Sequence, residues 1–146
     1  MMSMDVAVGS DGTVFVVRTS SRSDGSGYEL AAVRPTGSVS WTAALANRGA
    51  MSIAANDTTA FVTSFGTSGT FPNLSLKSVL QGFSVASGTP FTVELDGIAM
   101  SLATFKDGAY VVEVTAGTGG MPMTGFGRKL VSVSNSGHVN WTLPLD

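Results

Sequence analysis

A short motif that recurs at a fixed distance constrains the fold of this chain more than any other feature. An aromatic residue followed by Thr-x-x-Leu begins at Trp41, Phe91 and Trp141, so successive motifs start 50 residues apart. A fixed period of about 20 to 50 residues is typical of propellers, solenoids and other repeat proteins. The sequence therefore predicts a single domain of three units, at about 1–49, 50–98 and 99–146.

Each unit has the pattern of four β-strands joined in chain order. In the first unit, two β-branched runs flank the Asp11-Gly12 turn, a polar loop follows at 19–27, and two further strands are separated by a turn at 35–37. An Asp-Gly pair between two such runs is a strong hairpin signal. The other units repeat this plan, with polar loops at 65–76 and 115–127. We expect an all-β protein of three four-stranded antiparallel meander units.

The fourth strand of each unit places its aromatic residue on an apolar face, because side chains of one parity share a face of a strand. The aromatic residue has the same parity as the leucine four positions later: Trp41 with Leu45, Phe91 with Leu95, and Trp141 with Leu145. This pattern favours burial of the three rings between units over a role as sugar-stacking platforms.

The order of motifs within a unit is distinctive. An Asp-Gly turn leads into Val-Phe-Val or Ala-Tyr-Val, a polar loop follows, and a later strand ends near Pro-Thr-Gly-Ser-Val-Ser-Trp at 35–41. This order resembles the bacterial β-propeller repeat family and its quinoprotein-like relatives, over all three units and best from Tyr28 to Val62. The resemblance implies four-stranded blades in a surface or secreted scaffold without a catalytic site. The chain departs from the family in having three units, whereas closed propellers usually have four to eight blades.

A β-trefoil is the alternative fold, since it also has three units of four strands at about this length. Lectin-type trefoils carry Gln-x-Trp near the end of each unit, but the corresponding residues here are Val39, Thr89 and Val139. The missing glutamine favours blades. A carbohydrate-binding trefoil lectin is the second hypothesis for the function.

Composition excludes several classes of protein. Only 12% of the residues are charged and the net charge is -2, which gives no basic field for nucleic acid. There is no cysteine, and no apolar run is long enough for a membrane span. The low charge is typical of extracellular or virion-exposed β-proteins, although residues 1–5 do not begin a secretory signal. A virion or surface structural component is therefore a further hypothesis.

The sequence offers no convincing set of residues for catalysis, a metal ion or a cofactor. His138 is the only histidine, and it lies in a turn with no positioned partner. The glycine-rich stretch at 117–120 lacks the following Lys-Ser or Lys-Thr of a phosphate-binding loop. Calcium needs six to eight oxygen ligands, whereas aspartates spaced one per unit are better explained as turn formers. These aspartates are Asp11, Asp57 and Asp107.

Binding is expected on the face that carries the longer loops, because variable loops on a repetitive scaffold usually carry function. The ligand would be a protein or a glycan. The candidate binding residues are Arg22, Asp24, Phe71, Asn73, Met121, Met123 and Phe126.

Assembly follows from the number of units. Three blades cannot close a ring, and an open arc would leave an apolar face bare at each end. The chain ends also fall between whole units. We therefore expect a homodimer that completes a six-bladed ring and acts as a non-enzymatic structural or binding scaffold.

Overall fold

The computed structural model describes residues 6–19, 27–46, 49–68, 75–116 and 126–145. These residues form twelve β-strands. Within the described ranges there is no helix with the length and hydrophobicity needed to cross a membrane. The strands are β1 (Val6–Val8), β2 (Val14–Thr19), β3 (Tyr28–Val33), β4 (Val39–Ala44), β5 (Gly49–Ala55), β6 (Thr59–Ser68), β7 (Ser75–Ser84), β8 (Pro90–Glu94), β9 (Ile98–Phe105), β10 (Gly108–Ala116), β11 (Phe126–Ser134) and β12 (Val139–Pro144).

The strands form three four-stranded antiparallel sheets in which each strand pairs with its neighbours in the chain. Sheet I contains β1 to β4, sheet II contains β5 to β8, and sheet III contains β9 to β12. This result confirms the prediction of an all-β protein with three four-stranded meander units. A trefoil would divide the strands of one unit between a barrel and a cap, and the described strands do not pair in that way.

Short turns connect the first two strands of each sheet, and in sheets I and II a side chain of the turn caps the backbone. Asp11 Oδ1 accepts a hydrogen bond from the Thr13 N–H at 2.9 Å, as expected for a turn former. In sheet II the preceding residue, Asn56, takes this role, because its Oδ1 accepts from the N–H groups of Thr58 and Thr59 at 3.0 and 2.9 Å. Asp57 is an exposed member of that turn.

Two of the predicted loops are shorter in the structure than in the sequence analysis. The β6–β7 ladder continues to the pair Ser68 and Ser75, and the β10–β11 ladder continues to Ala116 and Phe126. A ladder satisfies backbone groups whatever the polarity of the side chains. Serine, threonine and glycine therefore extend these strands where their composition had indicated loops.

The sheets are stacked in chain order, with the first strand of each sheet toward one side. β1 contacts β5, and β5 contacts β9. One hydrophobic core lies between sheets I and II, and it includes Phe15 and Leu30 from sheet I with Val62 from sheet II. A second core lies between sheets II and III, and it includes Phe61 from sheet II with Val111 from sheet III. Sheet II is therefore covered on both faces, whereas sheets I and III are each covered on one.

Candidate interaction surfaces

Most of the predicted ligand-binding residues lie outside the described residues. These are Arg22, Asp24, Phe71, Asn73, Met121 and Met123. Phe126, predicted to lie in a loop, instead begins β11, where its backbone pairs with Ala116. The strand ends that lead into these segments are Thr19, Ser68 and Ala116, each at the end of the second strand of its sheet.

No group of three or more histidine, cysteine, aspartate or glutamate side chains converges within the described ranges. His138 is an exposed turn residue whose N–H is bonded to Ser134 Oγ at 3.0 Å. The Thr13 N–H holds the pKa of Asp11 below its usual range, which fits a carboxylate engaged by its own turn. These groups serve local backbone structure.

Two open grooves lie between the short turns of neighbouring sheets, on the side opposite the predicted binding loops. The larger, of about 610 Å³, runs between sheets I and II and is lined by Asp11, Arg34 and Asp57 among others. The smaller, of about 400 Å³, runs between sheets II and III past Phe91 and Asn135. Ligand sites usually enclose their ligand in a mostly apolar pocket. These grooves are open to solvent, as expected of the spaces between the edges of packed sheets.

The junction between sheets I and II centres on Trp41. Its ring centroid lies 6.0 Å from that of Phe15 in the same sheet and 6.3 Å from that of Phe83 in sheet II. Its Nε1 donates a hydrogen bond to the Val85 carbonyl at 2.9 Å. A Cβ placed on Gly88 would lie 2.7 Å from Cε3 of Trp41, so this turn of sheet II leaves room for the ring only because it has a glycine there.

The junction between sheets II and III repeats this arrangement with Phe91. Phe91 has the same place in its sheet as Trp41, since Phe91 pairs with Gly82 and Trp41 pairs with Ala32. Its ring lies edge-on to Phe61 at 6.0 Å. A Cβ on Gly137 of sheet III would lie 2.5 Å from Cδ2 of Phe91. At each internal junction, an aromatic ring from one sheet therefore covers a turn glycine of the next.

A charged cluster also joins sheet II to sheet III. Lys129 Nζ lies 2.7 Å from Asp96 Oδ2 and 2.8 Å from Glu113 Oε1. The hydrogen bond and the charge of Lys129 hold the pKa of Asp96 below its usual range. The buried Glu113 also accepts the Asp96 N–H at 3.2 Å through Oε2. At the other junction, Gln81 Oε1 accepts the Ala46 N–H at 2.9 Å in a similar way.

The outer face of sheet III is apolar and uncovered. Trp141 is 45% exposed, and Leu143 and Leu145 are 50% and 44% exposed. At the corresponding positions of sheet II, Val93 and Leu95 are only 8% and 4% exposed. The prediction that Trp141 is buried between units is therefore wrong for the single chain, because no sheet of the described residues lies opposite this face.

No described sheet covers the outer face of sheet I, and the first strand of the sheet is exposed there. Val6 is 53% and Val8 is 62% exposed. Val6 pairs with Val16 as Ile53 pairs with Val62, so Val6 and Ile53 have equivalent places in their sheets. Ile53 is buried against sheet I at 8% exposure. The two ends of the stack thus carry the two complementary kinds of face that are buried at the internal junctions.

Comparison with known proteins adds no assignment. No protein-family model matches the sequence, and no curated protein matches it significantly. The turn glycines that receive aromatic rings were not singled out in the sequence analysis, although a glycine three or four residues before each recurring aromatic residue was the available signal.

Proposed function

We propose that this protein is a non-enzymatic β-propeller module, acts as a structural or binding scaffold, and forms half of a six-bladed ring made by two copies. The observation that carries this proposal is the pair of uncovered end faces. The uncovered face of sheet III is equivalent to the faces that sheets I and II bury against the next sheet in the chain. The uncovered face of sheet I is equivalent to the faces that sheets II and III bury against the preceding sheet.

Closure by two copies follows from symmetry and size. If sheet III of each copy packs on sheet I of the other, two equivalent junctions form around a twofold axis and no end face remains. Six blades fall within the four to eight that closed propellers use. Exposed apolar surface of this kind is uncommon on soluble monomers and marks interaction sites.

The scaffold role is supported by the described polar side chains, which bind the protein's own backbone and each other. Asp11 and Asn56 cap turns, and the buried Glu113 is engaged by Lys129 and the Asp96 N–H. None of these groups is positioned as a nucleophile and base. We assign ligand binding to the loops that connect the second and third strands of each sheet, with a protein or a glycan as ligand. A two-copy ring would present six such loops, and multivalent display raises avidity without new contacts.

The test is the molar mass of the purified protein by light scattering coupled to size-exclusion chromatography. Two chains of 14.9 kDa should give about 30 kDa at micromolar concentration. Val8→Asp, which places a charge on the outer face of sheet I, should shift the mass to that of one chain. Thr92→Asp is the matched control, because Thr92 is exposed and belongs to sheet II, which carries neither end face.

A stable monomer at micromolar concentration would contradict the ring, as would open-ended growth into larger species. The fold of Val8→Asp is checked by circular dichroism. Val8 is exposed in the single chain, so this variant should keep the β-sheet spectrum of the parent.

A further inference from the structure

The β3–β4 turn of sheet I has an unfilled place for an aromatic ring. Gly37 has a φ of 89°, close to the 88° of Gly137 and the 75° of Gly88 in the corresponding turns. A Cβ on Gly88 or Gly137 would run into the ring of Trp41 or Phe91. A Cβ on Gly37 would meet nothing within 4 Å.

Sheet III carries an aromatic ring that covers no glycine of another sheet. Trp141 pairs with Ser132 as Trp41 pairs with Ala32, so the two indoles have the same place in their sheets. The Trp141 ring leans on Tyr110 at 5.8 Å, and Tyr110 stacks on Phe105 at 4.5 Å. This stack fixes the Trp141 ring from one side and leaves 45% of the residue exposed.

We propose that Trp141 of one copy packs over Gly37 of a second copy, and that this contact, made twice, locks the ring. The inference rests on the proposed function and specifies its junction. The two internal junctions supply the geometry, since in both of them the equivalent aromatic residue covers the equivalent glycine.

The same comparison predicts a hydrogen bond across the junction. The turns begin alike, because the Arg34 N–H bonds to the Ser38 carbonyl and the Ser84 N–H bonds to the Thr89 carbonyl. Pro35 is thus the counterpart of Val85, whose carbonyl accepts from Trp41 Nε1. Trp141 Nε1 should donate to the Pro35 carbonyl of the second copy.

A second copy is the occupant that best fits the outer face of sheet I. The face of sheet III that packs against sheet II carries a buried acid, Glu113, which is paired with the base Lys129 on the neighbouring strand. Sheet I has an ion pair at the same register on its outer face, with Arg18 Nε 2.8 Å from Glu29 Oε1. Both faces therefore carry an ion pair at this register beside their apolar residues, with the acid and the base on exchanged strands.

The experiment follows Trp141 and the mass together. In a Trp41→Phe variant, which copies the residue found in sheet II, Trp141 is the only tryptophan. Its emission should lie at short wavelength in the dimer and move to longer wavelength on dilution, with the midpoint at the dissociation constant obtained from the mass.

Substitutions at Trp141 define the contribution of the ring. Loss of a central aromatic anchor weakens an interface roughly thirtyfold or more, so Trp141→Ala should raise the dissociation constant of a ring with two such contacts on the order of 1000-fold. Trp141→Phe keeps a ring, as Phe91 does, and should weaken the dimer by about 30-fold through loss of one hydrogen bond at each of the two contacts. Thr142→Ala, an exposed neighbour on the opposite face of β12, should have no effect.

Glycine substitutions test the other half of the contact. Gly37→Ala should weaken dimerisation at least tenfold, because its Cβ occupies the place of the ring. Gly27→Ala is matched in backbone strain, since Gly27 also has a positive φ of 100° and open space around it, and it should leave the dimer intact.

The possible outcomes distinguish the contact between Trp141 and Gly37 from the formation of the two-copy ring. A dimer whose dissociation constant changes less than twofold in Trp141→Ala would overturn the Trp141 contact and leave the ring proposal standing. A monomeric parent protein would overturn both. A dimer in which Trp141 emits at long wavelength at every concentration would also contradict the contact.

Discussion

Replacing Trp41 with alanine tests whether the junction between sheets I and II holds the fold together. The indole contacts Phe15 and Phe83, covers Gly88 and donates to the Val85 carbonyl, so the substitution removes contacts with both sheets at once. Deleting a large aromatic side chain from a core costs about 3–5 kcal/mol. Trp41 keeps part of its surface in water, which puts the expected loss of unfolding free energy near the lower end, at about 3 kcal/mol.

The assay is urea denaturation at one fixed protein concentration, followed by circular dichroism. With a urea dependence of about 2 kcal/mol per molar, a loss of this size lowers the midpoint by roughly 1.5 M. Trp41→Phe keeps a ring but loses the hydrogen bond, and it should cost about 1 kcal/mol plus a smaller packing loss. Thr42→Ala, at an exposed neighbouring position, serves as the control. A Trp41→Ala midpoint equal to that of the control would refute the claim that this ring joins the two sheets.

Three other predictions concern the second junction and the turns. In the Val8→Asp background, which is expected to be monomeric, Gly137→Ala should lower the unfolding free energy in urea by about 1–3 kcal/mol more than Gly37→Ala, because both strain a positive φ but only Gly137 abuts Phe91; equal losses there would argue against that contact. The lowered pKa of Asp96 means that its ion pair with Lys129 stabilises the fold above about pH 3.9 and is lost as the pH falls through the lowered value. In Asp96→Asn, the free energy of unfolding should therefore fall less between pH 5 and 2 than in the parent. The difference should be below about 1 kcal/mol, because Asp96 is largely exposed. An unchanged pH profile would count against the ion pair. EDTA should leave the melting temperature unchanged and calcium should not raise it, because the repeated aspartates are interpreted as turn residues and not as calcium ligands; a calcium-dependent rise would overturn that interpretation.

Local rules explain why the sequence was a good guide to the strands and turns. The Asp11-Gly12 pair specifies a hairpin through backbone conformation and a side-chain hydrogen bond, both of which act within a few residues. Alternation in the fourth strands likewise places Trp41 and Leu45 on one face whatever lies opposite. The meander order followed because short connections join antiparallel neighbours. The extents of β6 and β7 were less predictable, since a ladder can continue through polar residues when its partner strand does.

The residue pattern alone was therefore enough to predict the strands, their grouping into three meanders and the apolar parity of each outer strand. Which of those apolar faces are covered depends on how the sheets pack. Trp41 and Trp141 lie in nearly the same local sequence, yet one is packed between sheets and the other is 45% exposed. Likewise, Asn56 Nδ2 donates to the Phe105 carbonyl at 2.9 Å and to Asn135 Oδ1 at 2.7 Å, contacts that no pattern within one unit encodes. The physical reason is that burial depends on whether a neighbouring sheet lies opposite, which is a property of the assembled stack and not of the strand.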